Sequence, residues 1–443
     1  MELQLQDLIQ AEQKKQLCIM RGGVVSYGDV KSLKENVLLL FNQETEDLAN
    51  KAQAAYSKEN MFDQYLKEYD QGGRKQRILL IDVNCKYSST GKIVYDLYQN
   101  LRKAGREAAI CYGRGELIRE DRIYKFGLDL ETYVHAFLAR ITGYNGIFSP
   151  FSTQRLIKYI DKYKPDIIHI HELHAYFVNL KPLLNYIKKK KIKVVWTFHC
   201  EYMYTGKCGY AYSCVKFQKE CHKCPAVKDY PKSLFFDRTK QMFRMKKRLL
   251  SDMDMTIVTP SKWLADRVKC SFLKNMPIRV IHNGIDTSVF RPVSADDLRT
   301  ELGIPRDHKI VLSVAPDIMS ERKGGRWVLK LANMMKNEKI TFILVGGGAK
   351  GHKLNVILAG AVYDAERLTK FYSMADVFVL FSQKETYSMT CAEALCCGTP
   401  ILGFKCGAPE TIFLEPYATF VEYGDIECVY KILKRDLLEE KCN

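Results

Sequence analysis

Two glutamates with a hydroxyl-rich turn between them are the residues of this chain best suited to chemistry. They lie in Glu385-Thr386-Tyr387-Ser388-Met389-Thr390-Cys391-Ala392-Glu393, which runs on into Ala394-Leu395-Cys396-Cys397-Gly398-Thr399-Pro400. Gly398 followed by Pro400 stops a helix that starts near Ser388. Amides at such a helix start, here Ser388, Met389 and Thr390, bind an anionic diphosphate with help from the helix dipole. Glu385 falls in the loop just before, and Glu393 two turns into the helix, so the pair reaches opposite ends of one elongated ligand. Carboxylates accept hydrogen bonds from vicinal hydroxyls, the usual way proteins hold a ribose or hexose. The plain alternative is two solvated glutamates on an exposed helix.

The elements that must position these groups repeat a simple pattern. Ile78-Leu79-Leu80-Ile81-Asp82-Val83 leads through Ser88-Ser89-Thr90-Gly91 into an amphipathic helix from about Ile93 to Lys103. Asp166-Ile167-Ile168-His169-Ile170-His171 and Val194-Val195-Trp196-Thr197-Phe198-His199 are further short β-branched runs. Strands at Lys309 to Val314, Ile340 to Val345, Asp376 to Leu380 and Thr399 to Gly403 follow the turn at Asn283-Gly284. Strands alternating with helices predict two parallel, doubly covered sheets, and 443 residues exceed one core. Residues 75–275 and 276–443 are the expected domains, after a helical segment at 1–74. His169 and His171 alternate along a strand and are expected to contribute at most one residue to a site.

In order and spacing these stretches resemble the retaining GT-B glycosyltransferases, the large family four type (glycosyl transferases group 1) that includes bacterial capsular and colanic-acid polysaccharide enzymes. Besides Glu-x7-Glu with Ala-Leu-x-x-Gly-Thr-Pro, the resemblance rests on His282-Asn283-Gly284-Ile285-Asp286 with Phe290 and Pro292, on Arg322-Lys323-Gly324, on Tyr372-Ser373-Met374-Ala375-Asp376-Val377, and on Thr259-Pro260-Ser261-Lys262-Trp263-Leu264. It covers about Arg77 to Ile412 and implies an α/β fold of two facing Rossmann-like domains with an active-site cleft between them. It implies that Glu393 binds the donor ribose, that Glu385 contacts the transferred sugar, and that Lys323, with Arg322 and Gly324 beside it, neutralises the leaving diphosphate. His199 would touch the sugar from the acceptor-side domain, unless it is a structural histidine, and Gly91 would approach the donor phosphate. Lys323, Glu385 and His199 are the implied catalytic residues. The donor would be a UDP- or GDP-sugar, with no catalytic metal, and the acceptor a saccharide or polyprenyl-linked oligosaccharide. Three departures stand out: Ile318 where the family has an arginine, so that Arg322 is expected to substitute; His199-Cys200 where it has His-Asp, with Glu201 next; and a first glycine loop reduced to Ser88-Ser89-Thr90-Gly91.

Within the region 199–231, Cys208, Cys214, Cys221 and Cys224 form a second constellation. The last pair has the spacing of zinc ligands, so a structural zinc is one reading and four reduced cysteines packing a loop the other. Fifteen cysteines in an unsecreted chain are expected as thiols. The net charge of +17 favours anionic partners. Lys188-Lys189-Lys190-Lys191 and the basic, aromatic stretch from Phe235 to Arg248 suit an anionic membrane surface or a solvated face. The sequence shows no secretion signal or long apolar span, which predicts a cytoplasmic, at most peripheral, protein.

The first seventy residues read as helix, Val30 to Phe41 and Glu44 to Tyr69. Val25-Ser26-Tyr27-Gly28-Asp29-Val30 echoes Val421-Glu422-Tyr423-Gly424-Asp425-Ile426. Ala54-Ala55-Tyr56-Ser57-Lys58-Glu59-Asn60-Met61 and Tyr65-Leu66-Lys67-Glu68-Tyr69 resemble the crossover tail of the family, so residues 20–72 read as a relocated C-terminal element, the other option being an unrelated helical extension. The function expected is hexosyl transfer in cell-surface polysaccharide biosynthesis. The rival is an inactive GT-B subunit that serves assembly; a nucleic-acid-binding role lacks any recognised module.

Overall fold

The structure, a computed structural model, describes residues 45–70, 76–348, 350–413 and 416–438, with two short antiparallel strands at Cys18–Met20 and Gly23–Val25. The helix expected at Val30 to Phe41 and most of the first copy of the echo lie outside the described residues. The chain forms two compact units: a central one, Lys58–Gly284, and a two-ended one that joins Met1–Ser57 to Ile285–Asn443.

The central unit is built on a seven-stranded sheet in the order Ile123–Lys125, Glu107–Tyr112, Arg77–Asp82, Ile167–Ile170, Lys193–Thr197, Met255–Thr259, Ile278–Val280. Every pairing is parallel. Ile78, Leu79, Leu80 and Ile81 are fully buried, the mark of a strand covered on both faces. The strand order reverses between Arg77–Asp82 and Ile167–Ile170, and open α/β sheets bind ligands beyond the carboxyl ends at such a point.

The two-ended unit has its own seven-stranded sheet: Lys350–Lys353, Val356–Gly360, Ile340–Gly347, Lys309–Asp317, Val377–Leu380, Ile401–Phe404, Ala418–Val421. Only its exposed edge, Lys350–Lys353, pairs antiparallel. The reversal lies between Lys309–Asp317 and Val377–Leu380.

The helix expected from Glu44 to Tyr69 is two helices, Thr45–Tyr56 and Lys58–Tyr69, because Ser57 leaves the helical path to bridge Ile285 and the Tyr56 carbonyl accepts from the Ile285 amide at 2.7 Å. The first helix belongs to the two-ended unit. Leu48 and Ala52 are buried in one core cluster with Cys391, Ala392, Leu395 and Cys396. Gln53 Nε2 donates to the Cys396 carbonyl at 3.1 Å, satisfying an acceptor at the end of the Met389–Cys396 helix. The second helix belongs to the central unit: Met61, Tyr65 and Tyr69 are buried, Tyr65 Oη bonds Thr197 Oγ1 at 2.8 Å and Tyr69 Oη bonds His169 Nδ1 at 2.6 Å.

Deleting residues 1–72 therefore strips cover from both units, and the truncated chain is expected to be insoluble or to melt well below the full chain. Leu48→Ala alone should cost about 2–4 kcal/mol, the usual range for a buried leucine, read by denaturant or thermal unfolding. A truncated chain that melts like the intact one would show that these helices are dispensable.

Candidate functional site

In the two-ended unit the glutamate motif sits on the loop and helix that follow strand Val377–Leu380. Glu385 is held by its backbone: its amide donates to the Cys406 carbonyl at 2.9 Å and its carbonyl accepts from the Ala408 amide at 3.1 Å. Its buried side chain accepts from Lys323 Nζ at 2.6 Å, with Arg322 4.0 Å away. Burial pushes the Glu385 carboxyl up, but the Lys323 ammonium and then Arg322 outweigh it, so the group titrates below its ordinary range. Lys323 lies in the short turn Glu321–Lys323, whose first free amide bonds the Ser320 hydroxyl. Gly324 follows in the left-handed region at φ +77°, and a Cβ there would stand 2.1 Å from the Phe381 carbonyl oxygen. Only glycine lets the cationic turn sit this close to the strand end. The Gln383 amide donates to the Arg322 carbonyl at 2.8 Å, tying the two loops together.

Ser388 caps the Met389–Cys396 helix by accepting from the Cys391 amide at 3.3 Å, as its hydroxyl type predicts. The first-turn amides of Met389 and Thr390 stand at the positive end of that helix. Glu393, half-buried on the same helix, accepts from the buried Tyr372 hydroxyl at 2.8 Å, which fixes its rotamer. Ile318 is 1% exposed and packs in a core cluster with Ala315 and Phe381, so that position supplies no charge. Arg322 is the residue the fold brings beside Glu385.

In the central unit, His199 follows strand Lys193–Thr197. His199 Nε2 lies 2.9 Å from His171 Nδ1. Burial holds the His199 imidazole neutral, its pKa down to about 4, against the pull of Glu172 and with the His174 charge helping. His169 and His171 were expected to contribute at most one residue to a site. Their rings lie 4.2 Å apart, because residues two apart share a strand face. What separates them is the end of the strand at Ile170: His169 is fixed between Tyr69 and Thr197, whereas His171 reaches His199.

Three groups escaped the sequence reading. Asp82, fully buried, accepts from the Glu172 amide at 3.0 Å. Burial raises its carboxyl to about 7, against the hydrogen bonds it accepts. Glu172 pairs with His174 at 2.8 Å, and Cys200 Sγ lies 3.5 Å from the same carboxylate. Burial opposes charge on both, yet each holds the other ionised: His174 well above its ordinary value and Glu172 below its own. Glu201, the carboxylate next to His199-Cys200, is instead structural, taken up by Arg267, Tyr204 and the Ala211 amide. The signal for Glu172 was present in His169-Ile170-His171-Glu172-Leu173-His174, a run in which a carboxylate sits among histidines just past a buried strand. Gly91 lies in the first turn of helix Ser89–Lys103, its amide donating to Ser88 Oγ at 3.2 Å, and a Cβ there would stand 3.2 Å from the Asn84 carbonyl carbon. Glycine at that position lets the helix start pack against the Asn84 backbone.

Among the described residues, the one set of three metal-ligating atoms mutually within 4.8 Å is Glu172, His174 and Cys200, where the ion pair already satisfies two of the three. Cys208, Cys214, Cys221 and Cys224 are brought together around one small cavity.

A family profile described as Glycosyltransferase Family 4 matches residues 90–289, and one described as Glycosyl transferases group 1 matches residues 308–434. The chain belongs to the GT-B glycosyltransferases of the family 4 type. Among its relatives is WcaC of Escherichia coli, whose name assigns it provisionally to colanic acid biosynthesis as a glycosyl transferase, 25% identical over 380 residues that cover 82% of this chain and 91% of that protein. A D-inositol 3-phosphate glycosyltransferase of Mycolicibacterium smegmatis is 27% identical over 185 residues, 37% of this chain and 40% of its own. In fold, this glycosyltransferase is similar to sucrose-phosphate synthase from Thermosynechococcus elongatus, with a TM-score of 0.58 at 19% identity over 82% of this chain and 90% of that one. It is also similar to Anabaena Alr3699/HepE in complex with UDP-glucose, with a TM-score of 0.56 at 14% identity over 81% and 89%.

Asp82 yields a prediction on pH. Its folded pKa, about 7, lies above the ordinary 3.8, so between those values the unfolded chain ionises it and the folded chain does not, and stability falls as pH rises. Asp82→Asn removes that slope. The melting temperature of the variant should gain on wild type from pH 4 to pH 7 and then run parallel; identical pH profiles would show that Asp82 is ionised in the fold.

Proposed function

We propose that this glycosyltransferase is a retaining hexosyltransferase of cell-surface polysaccharide biosynthesis, using a nucleotide-sugar donor and a saccharide or polyprenyl-linked saccharide acceptor. The observation that carries this reading is the Lys323–Glu385 contact at 2.6 Å beside the capped start of helix Met389–Cys396. On it, Lys323, Arg322 and Gly324 with the amides of Ser388, Met389 and Thr390 take the diphosphate, Glu393 the ribose and Glu385 the transferred sugar. His199 and Gly91, carried by the central unit, are read from the resemblance to the family as a sugar contact and a phosphate contact. A cation fixed before the ligand arrives stabilises leaving-group charge without reorganisation. In the step proposed, the bond from the sugar's anomeric carbon to the diphosphate oxygen breaks and its electron pair leaves on the diphosphate. The acceptor oxygen bonds the same face of that carbon, and its proton passes to the departing phosphate. The name of WcaC and the UDP-glucose in the Anabaena protein support saccharide chemistry and a nucleotide-sugar donor, for which UDP- and GDP-sugars are both candidates.

The acceptor reading extends to an anionic bilayer. Leu130, Tyr133, Val134 and Phe137 are 77%, 71%, 48% and 61% exposed at i, i+3, i+4 and i+7 of helix Asp129–Thr142. A contiguous apolar stripe of this kind facing outward suits a lipid surface. Phe151 and Phe235 are exposed near its two ends: the Phe151 amide is held by Glu131 and the Leu234 amide by the Arg140 carbonyl. Exposed Arg140, Lys228 and Lys232 supply basic charge around them. The basic helix Thr239–Leu250, by contrast, turns Met242, Phe243, Leu249 and Leu250 inward, buries Lys246 and pairs Lys240 and Arg244 with Glu220. No described helix is long and apolar enough to cross a membrane. We also read residues 20–72 as the relocated C-terminal crossover element of the family; the packing of the described helix Thr45–Tyr56 in one unit and of Lys58–Tyr69 in the other supports this.

Nucleotide release from a panel of UDP-, GDP-, ADP- and dTDP-sugars tests the reading. One donor should be turned over, with Lys323→Ala and Glu393→Ala each lowering the rate by a hundredfold or more. No release from any donor, with no nucleotide raising the melting temperature, would favour a non-catalytic subunit. For the bilayer, wild type should float with phosphatidylglycerol-rich vesicles and the folded double variant Tyr133→Ser, Phe137→Ser should not. Equal flotation of the two would remove this helix from the interface.

A further inference from the structure

We infer that Cys208, Cys214, Cys221 and Cys224 form a structural zinc site that closes the loop between Thr205 and Tyr230. Between the turn Tyr202–Tyr204 and the helix Thr239–Leu250, the described regular structure is a single three-residue turn, Lys216–Gln218. Connections longer than about 12–15 residues without structure of their own are uncommon in compact domains. What this one has is convergence. All four cysteines, together with Gly206, Phe217 and His222, line one cavity of about 20 Å³, against the roughly 10–15 Å³ needed for one water-sized sphere. That space accepts a single ion and excludes an iron–sulfur cluster, and four sulfurs select zinc among single ions.

The loop is also braced around these sulfurs. The Gly206 amide donates to Cys221 Sγ at 3.2 Å, and Thr205 Oγ1 donates to the Cys208 carbonyl at 2.8 Å. The Cys224 amide is held by Asp237 Oδ2 at 2.7 Å. Lys207 Nζ gathers the carbonyls of Ala226, Val227 and Asp229 at 2.9, 2.7 and 2.8 Å, and Lys216 Nζ those of His222 and Lys223 at 3.1 and 2.8 Å. Two lysines that gather backbone carbonyls fix the chain within Cys221-x2-Cys224 and just after it. Among the described residues no three of these sulfurs stand mutually within 4.8 Å. Thiolates on a tetrahedral zinc, with bonds of about 2.3 Å, are about 3.8 Å apart, so the loop tightens on the ion. Binding releases the thiol protons to solvent as the four Zn–S bonds form.

The test is metal content of the full chain purified under reducing conditions without chelator. One zinc per chain is expected, lost in Cys221→Ser and Cys224→Ser and kept in Cys270→Ser, an exposed cysteine outside the loop. Should the first two variants fail to fold, wild type stripped of metal and titrated with cobalt decides: uptake of one equivalent with a thiolate charge-transfer band, and protection of the loop from protease, supports the site. A full count of free thiols with neither retained zinc nor cobalt uptake overturns it, and so does a disulfide among the four. None of these readouts depends on sugar transfer.

Discussion

The contact between Lys323 and Glu385 is the constraint that organises the two-ended unit. A carboxylate as buried as Glu385 is costly unless a cation meets it, and the cation must arrive from a different loop. Meeting it demands the left-handed Gly324 pressed against the Phe381 carbonyl, the Gln383–Arg322 backbone bond and the Glu385–Cys406 bond. Each of these is a backbone interaction at the carboxyl end of a parallel strand. The loops that carry charge are thus brought together by the sheet as well as by the charges they carry. Removing Glu385 would strand a half-buried ammonium, and removing Lys323 would strand a buried carboxylate, so the two side chains hold one another in register.

The central unit solves the same problem with the opposite arrangement. There the buried carboxylate is Glu172 and its cation is an imidazolium, His174, while His199 and His171 are kept neutral by burial. A neutral imidazole donates from one nitrogen and accepts at the other, a pattern matched to hydroxyl groups. A charged pair beside a neutral pair gives one strand edge both kinds of group. Asp82, binding the Glu172 amide, sets the height of that edge relative to the first strand.

Much of this was legible because the residues that bind charge are also those that punctuate structure. Ser388 could be read as a cap and Gly398 as a stop from residue type, and the helix between them runs as expected. Asp82 was not legible, since nothing local says that a carboxylate ending an apolar run will be buried; that follows from which strands pair. Glu201 neighbours His199 in sequence but bonds Arg267, sixty-six residues further on, which adjacency alone does not reveal. Ser57 breaks a helical pattern that local propensity would have continued, and its reason, the bridge to Ile285, is equally remote. At Ser57 a long-range backbone pairing overrode a local preference.

The N-terminal helices show how far such pairing reaches. Gln53 answers a carbonyl at the end of the very helix whose start Ser388 caps, and Leu48 and Ala52 fill the core beneath Cys391 and Leu395. Tyr69 and Tyr65 likewise hold His169 and Thr197, one position from the strand residues that lead to His171 and His199. Helices that are contiguous in sequence thus support the elements behind both sets of charged groups, each within its own unit. Their contribution is tertiary, since helices of 12 residues are marginal alone. A segment with that task belongs with the fold wherever it stands in the sequence, because the packing depends on the surfaces it covers and not on whether the chain reaches them first or last.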